Sequence, residues 1–151
     1  MFCWIETTRV HSDVLCFRDI RPVSSHHSLV IPKRYVENIA HCSGHESDIS
    51  LLEHMVAVAK KVVQTEHPDV DVEAAYKAQD LSLGFHRWPM LSVAHLHLHC
   101  IYPMPCPKTW HRFLHPQGYG FFYMAARDEL DRLERERREK KTIGSASGSG
   151  T

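Results

Sequence analysis

Between Ser92 and Ile101 the chain reads Ser-Val-Ala-His-Leu-His-Leu-His-Cys-Ile, with histidine at positions 95, 97 and 99. Side chains on a strand alternate faces with period two. A strand over this stretch carries imidazoles on one face and Leu96, Leu98 and Cys100 on the other. The pattern therefore asks for a sheet with one face packed as core and the other built as a site. Imidazole works as nucleophile, acid, base or metal ligand near neutral pH. Two chemistries fit. In covalent catalysis one imidazole attacks while the others orient it or bind charge. In a metal site, His-x-His offers nitrogens to zinc. A merely solvated polar face explains the alternation but not the repetition of one titratable residue type.

The flanking sequence supplies the rest of such a sheet. Residues 14–18 and 28–31 read as short strands, bounded by Asp19-Ile20-Arg21-Pro22 and by Pro32. Ser43-Gly44-His45-Glu46 has capping-box spacing. After it, Ile49, Leu52, Met55, Val56, Ala59, Val62 and Val63 recur at helical intervals, ending near Thr65 to His67 before Pro68. Residues 72–77 and 81–85 read as two more strands. Pro103, Pro105 and Pro107 exclude regular structure, and 108–120 is expected to be a loop able to cover something. Phe121-Phe122-Tyr123 reads as a short apolar strand or as a segment packed against a dimer partner, and 127–141 as a helix of opposite charges anchored by Leu130 and Leu133. The fold class expected is α+β: a mainly antiparallel sheet, one long amphipathic helix and a C-terminal helix. One domain over 1–141 is expected, followed by a disordered Gly/Ser-rich tail over 142–151.

Composition narrows the function classes. Lys+Arg and Asp+Glu both total 18, so the chain lacks the basic footprint of a duplex-binding protein. No apolar run reaches the ~20 residues of a membrane span, and the first residues lack a secretory signal pattern. The five cysteines, Cys3, Cys16, Cys42, Cys100 and Cys106, are odd in number and lack C-x-x-C spacing. They point to free thiols in a reducing compartment, the cytoplasm with the nucleus also open.

The run His95-Leu96-His97-Leu98-His99-Cys100-Ile101 resembles the signature of the histidine triad family. The likeness extends to Leu15-Cys16-Phe17-Arg18-Asp19-Ile20-Arg21-Pro22, to His26-His27-Ser28-Leu29-Val30-Ile31-Pro32-Lys33 and to Gly84-Phe85-His86. These segments are similar to the Hint branch, and the resemblance covers most of residues 2–134. It implies a histidine triad-like fold, a homodimer and a purine nucleotide substrate, with no cofactor, metal, nucleic acid or membrane. The implied reaction cleaves adenosine 5'-phosphoramidate-like P–N bonds, or related P–O bonds, and releases AMP. In that scheme His97 is the nucleophile at the α-phosphorus and the His95 carbonyl holds its ring. His99 donates to phosphate or leaving group, and His27 supports it from another strand. Ser92 contacts phosphate and leaving group, Asp19 binds the ribose hydroxyls, and Phe17 and Ile20 line the base pocket. His86 belongs to the branch's Gly-Phe-His segment, as a nucleotide contact or a structural histidine.

Tyr35 stands where relatives carry histidine, Trp88 replaces a proline, and Gly84 falls near a nucleotide-contacting asparagine of other members. These departures leave open a non-catalytic nucleotide-binding or scaffold protein that keeps the pocket. A zinc hydrolase using His95, His97 and His99 is the third reading. His11, His41, His45, His54 and His67 read as surface histidines, while His111 and His115 lie in the loop.

Overall fold

The computed structural model describes residues 13–86, 93–104 and 123–146. Strands β1 (Val14–Arg18), β2 (His26–Pro32), β3 (Ser82–His86), β4 (Leu98–Tyr102) and β5 (Tyr123–Ala125) form one antiparallel sheet in the order β1-β2-β4-β3-β5. Helices α1 (Glu46–Glu66), α2 (Val72–Lys77) and α3 (Ala126–Ala146) complete the described architecture. The α+β class and the antiparallel sheet are as expected.

The register sorts the residues into two faces. Cys16 pairs with Val30, Ser28 with Cys100, Val30 with Leu98 and Leu83 with Cys100. These side chains meet Leu52, Met55, Ala59, Val62 and Val63 of α1 in the buried core. That burial is the main stabilising term, at ~25 cal/mol per Å² of apolar surface removed from water. Burial pushes the Cys16 and Cys42 thiols up to about 11 and Cys100 higher still, so these free cysteines are packing residues and poor nucleophiles. Cys3 and Cys106 lie outside the described residues, as do Trp88, His111, His115 and the 108–120 segment. Among the described residues no helix is long and apolar enough to cross a membrane.

Three local expectations need correction. Residues 72–77 form α2, not a strand. Asp71 caps it by accepting from Ala74 N at 2.9 Å, and Val72, Ala75 and Tyr76 meet the core at helical spacing. Ser43 does not close a capping box with Glu46. The Asp48 carboxylate reaches back instead and accepts from Ser43 N at 2.9 Å and from its hydroxyl at 3.2 Å. The regular part of the triad strand begins only at Leu98, so His95 and His97 precede it.

The charged C-terminal helix is tied down by more than two leucines. Arg132 pairs with Glu129 and Glu136 and donates to the Cys42 carbonyl at 3.3 Å, and Glu129 is buried. Gly44 sits where a Cβ would come within 2.7 Å of Arg137 N, so glycine lets α3 approach the start of α1. Along the same helix Glu134 pairs with Arg138 at 2.8 Å.

Candidate active site

β2 carries two adjacent histidines, and adjacent strand residues face opposite ways. His26 joins the helix side and His27 the other. His99 pairs in register with Leu29 of β2 and Gly84 of β3, which places it on the His27 side at the middle of the sheet. Its ring centroid lies 5.3 Å from His27, 5.0 Å from His97 and 4.3 Å from His86. His86 and His97 stand 6.3 Å apart. Four imidazoles from β2, β3, β4 and the segment entering β4 thus converge around His99.

Hydrogen bonds assign their tautomers. His97 Nδ1 donates to the His95 carbonyl at 2.7 Å, so its Nε2 carries the lone pair. His27 Nδ1 accepts from Val23 N at 3.3 Å, so its Nε2 bears the proton and donates to His99 Nδ1 at 2.9 Å. His99 then holds its own proton on Nε2. The result is one imidazole with a free lone pair beside one with an N–H to donate. Burial holds the His27 pKa below the ordinary imidazole range, with the nearby Asp19 carboxylate opposing that shift.

His95 does not join the cluster. Its Nε2 donates to the Pro32 carbonyl at 2.9 Å, and Tyr35 stacks on its ring at 5.7 Å. The zinc reading over His95, His97 and His99 therefore fails in its membership. Among the described residues the groups able to bring three metal-ligand atoms together are His86/His97/His99, Asp19/His27/His99 and His26/Glu66/His67. Chain direction explains it: before β4 the segment bonds to the chain just past β2, with Leu96 N donating to Val36 O at 2.7 Å, and this holds the His95 ring against Pro32 and Tyr35.

Asp19 has two jobs. One carboxylate oxygen accepts from Arg21 N at 2.7 Å, an Asx turn, and the other lies 3.5 Å from His27 Nε2. Phe17 is half-buried beside it, and Ile20 is 79% exposed, beyond what a core residue would show. Ser92 lies outside the described residues.

Sequence reasoning missed Tyr123. Its ring lies across Gly84, where a Cβ would come 2.6 Å from Tyr123 Cε1 and closer to Cζ. Its hydroxyl meets Ser82 Oγ at 2.9 Å, and its ring stands 5.7 Å from His86. Glycine at 84 thus makes room for an aromatic wall behind His86. His67, read as a surface histidine, has a buried Nε2. The signal that could have found it was the His26-His27 doublet, which must put one imidazole on each side of the sheet.

A model of the family described as scavenger mRNA decapping enzyme C-term binding matches residues 5–111. The bifunctional adenosine 5'-phosphosulfate phosphorylase/adenylylsulfatase HINT4 of Arabidopsis thaliana is 35% identical over 117 residues, 73% of this chain and 73% of its own. The adenosine 5'-monophosphoramidase HINT3 of Xenopus tropicalis is 33% identical over 83% of this chain and 76% of its own. The chain belongs to the histidine triad family. A solved histidine triad (HIT) family hydrolase from Legionella pneumophila Philadelphia 1 superposes with a TM-score of 0.52 at 28% identity, covering 68% of this chain and 83% of that one. A histidine triad protein from Clostridium difficile gives 0.53 at 20% identity over 68% and 82%, a likeness of fold alone.

Proposed function

We propose that this histidine triad protein is a nucleotide hydrolase that cleaves adenosine 5'-phosphoramidate-like P–N bonds, or related P–O bonds, and releases AMP. The observation that carries the reading is the 2.7 Å bond from His97 Nδ1 to the His95 carbonyl. It leaves Nε2 as an in-plane lone pair, the form an attacking imidazole needs. Nε2 of His97 attacks the α-phosphorus and forms a phosphoramidate link to the nucleotide. The leaving amine departs with a proton from His99 Nε2–H. Water then adds to phosphorus as its proton passes to His99 Nε2, the bond from phosphorus to His97 Nε2 breaks, and AMP leaves with both rings restored. The His27–His99 bond keeps the donor nitrogen protonated, and His27 stays neutral because burial disfavours its charge. Donors set in place where charge develops on phosphate are worth most in a site closed to water.

The remaining assignments belong to the same proposal. Asp19 takes the ribose hydroxyls, Phe17 and Ile20 the base, and Ser92 the phosphate and leaving group. His86 acts as a nucleotide contact against the Tyr123 wall. The protein works as a homodimer without cofactor, in the cytoplasm or nucleus. The relatives' names support the substrate class: two act, by name, on an adenosine 5'-phosphosulfate and an adenosine 5'-monophosphoramidate.

Mass spectrometry of the protein mixed with adenosine phosphoramidate tests the reading. Expected are released AMP and a nucleotidyl adduct on His97, both lost in His97→Ala while AMP binding persists. Turnover retained in that variant overturns the nucleophile; nucleotide binding without turnover in the unaltered chain establishes the non-catalytic alternative.

A further inference from the structure

A second cluster of metal-ligating residues lies on the other side of the sheet, where the end of α1 meets β2. His26 Nδ1 stands 3.0 Å from Glu66 Oε2. His67 follows Glu66 directly at the helix end, and its ring is 5.6 Å from that of His26. One ligand atom from each residue lies within 4.8 Å of those from the other two. His67 Nε2 is buried without a hydrogen-bond partner, an unusual cost for a polar atom. The Tyr102 ring closes the pocket at 5.2 Å from His67.

The geometry points to a zinc-class divalent cation site formed by His26, Glu66 and His67, separate from the catalytic imidazoles. Four observations support it. Two imidazoles and one carboxylate are a zinc ligand set with a fourth position left for water, and too nitrogen-rich for calcium or magnesium. Ligands on a tetrahedral ion at ~2.0–2.2 Å end up near the His26–Glu66 separation already present. An imidazole ligand needs its second nitrogen held, and His26 Nε2 meets Ser28 Oγ at 3.1 Å. The ion also gives the orphaned His67 ring something to bind. On binding, the His26 proton moves from Nδ1 to Nε2, and the Ser28 hydroxyl turns from donor to acceptor.

Arg18 opposes the ion. Its guanidinium pairs with Glu66 Oε2 and donates to the Ser25 carbonyl at 3.0 Å. The side chain is about half exposed, so it can swing into solvent and leave Glu66 to a metal. The site would pin the end of α1 to β2, one residue from His27.

Calorimetric titration with zinc ions tests this in a His99→Gln background, because His99 is shared by both candidate groups on the catalytic face. One zinc per chain is expected to remain there, and cobalt should give the visible absorption of a tetrahedral site. Adding His67→Gln, or independently Glu66→Gln, should weaken binding by more than ~100-fold, since even outer partners of a ligand are worth ~10–100-fold. Adding Arg18→Gln should instead tighten it roughly two- to fivefold, by removing the competing half-exposed pair. No binding in the His99→Gln protein, or binding untouched by both His67→Gln and Glu66→Gln, overturns the site.

Discussion

The two sides of β2 use the same residue type under different constraints. On the His27 side the imidazoles of His27, His97 and His99 bond to one another or to backbone, and these three are left in defined tautomers. On the His26 side the imidazole bonds to a carboxylate and a hydroxyl inside the helix-packed core. The first arrangement has a lone pair and an N–H ready for a reacting group. The second joins a helix end to a strand. A histidine's identity therefore says little about its role; the partners of its two nitrogens decide it.

Exchanging the adjacent histidines breaks the comparison most sharply. His27→Asn should lower turnover of an adenosine phosphoramidate by ~10²-fold, because His99 loses the bond that holds its tautomer and position. His26→Asn should leave kcat within about threefold but cost about 2 kcal/mol of stability, since Glu66 and Ser28 lose a buried partner. Steady-state kinetics beside thermal denaturation checks both, and equal kinetic losses would mean the two faces are not separate in function.

Asp19→Ala tests how far the proposed active face extends. Hydrogen bonds to a charged acceptor are worth ~1.5–3 kcal/mol, so kcat/KM for ribonucleotide substrates should fall by about one to two orders of magnitude. A 2',3'-dideoxy substrate should lose much less. Equal losses on both sugars would assign Asp19 to its Asx turn alone.

Gly84→Ala sharpens the His27 side of the comparison without replacing an imidazole. The new methyl would overlap the Tyr123 ring, and overpacking of this kind costs ~1–3 kcal/mol. Denaturant unfolding should register that loss, and Tyr123→Ala should relieve only the ring's share of it in the double variant, because the methyl also meets the Met124 carbonyl at 2.5 Å.

The most gradual expected effect is a pH slope shared by both faces. Burial lowers the pKa of His26 and of His27 from 6.5. Below the unfolded value the unfolded chain takes up protons that the folded one refuses. Stability is thus full above about pH 6.5 and falls as pH drops toward the folded values, by at most ~1.4 kcal/mol per unit per imidazole. Stability measured between pH 5 and 8 should show this, and His26→Gln and His27→Gln should each flatten part of it.

Much of this was legible along the chain. Helical spacing of Ile49 to Val63 located α1, and the alternation around His99 located β4, because burial imposes those periods directly. The segment at 72–77 misled, since Val72 and Tyr76 suit a strand while the Asp71 cap and two alanines favour a helical turn. Tyr123 could not be placed at His86, because 36 residues separate them along the chain and only the β3–β5 pairing brings them together.

The sequence by itself determined the fold class, the family and which imidazoles alternate with core residues, since local periodicity and motif order are written into consecutive positions. Only the tertiary structure decided that His95 leaves the cluster, that His86 enters it, and that His26 meets Glu66 and His67. Those are contacts between segments tens of residues apart, set by strand register and helix docking, and no local pattern carries them.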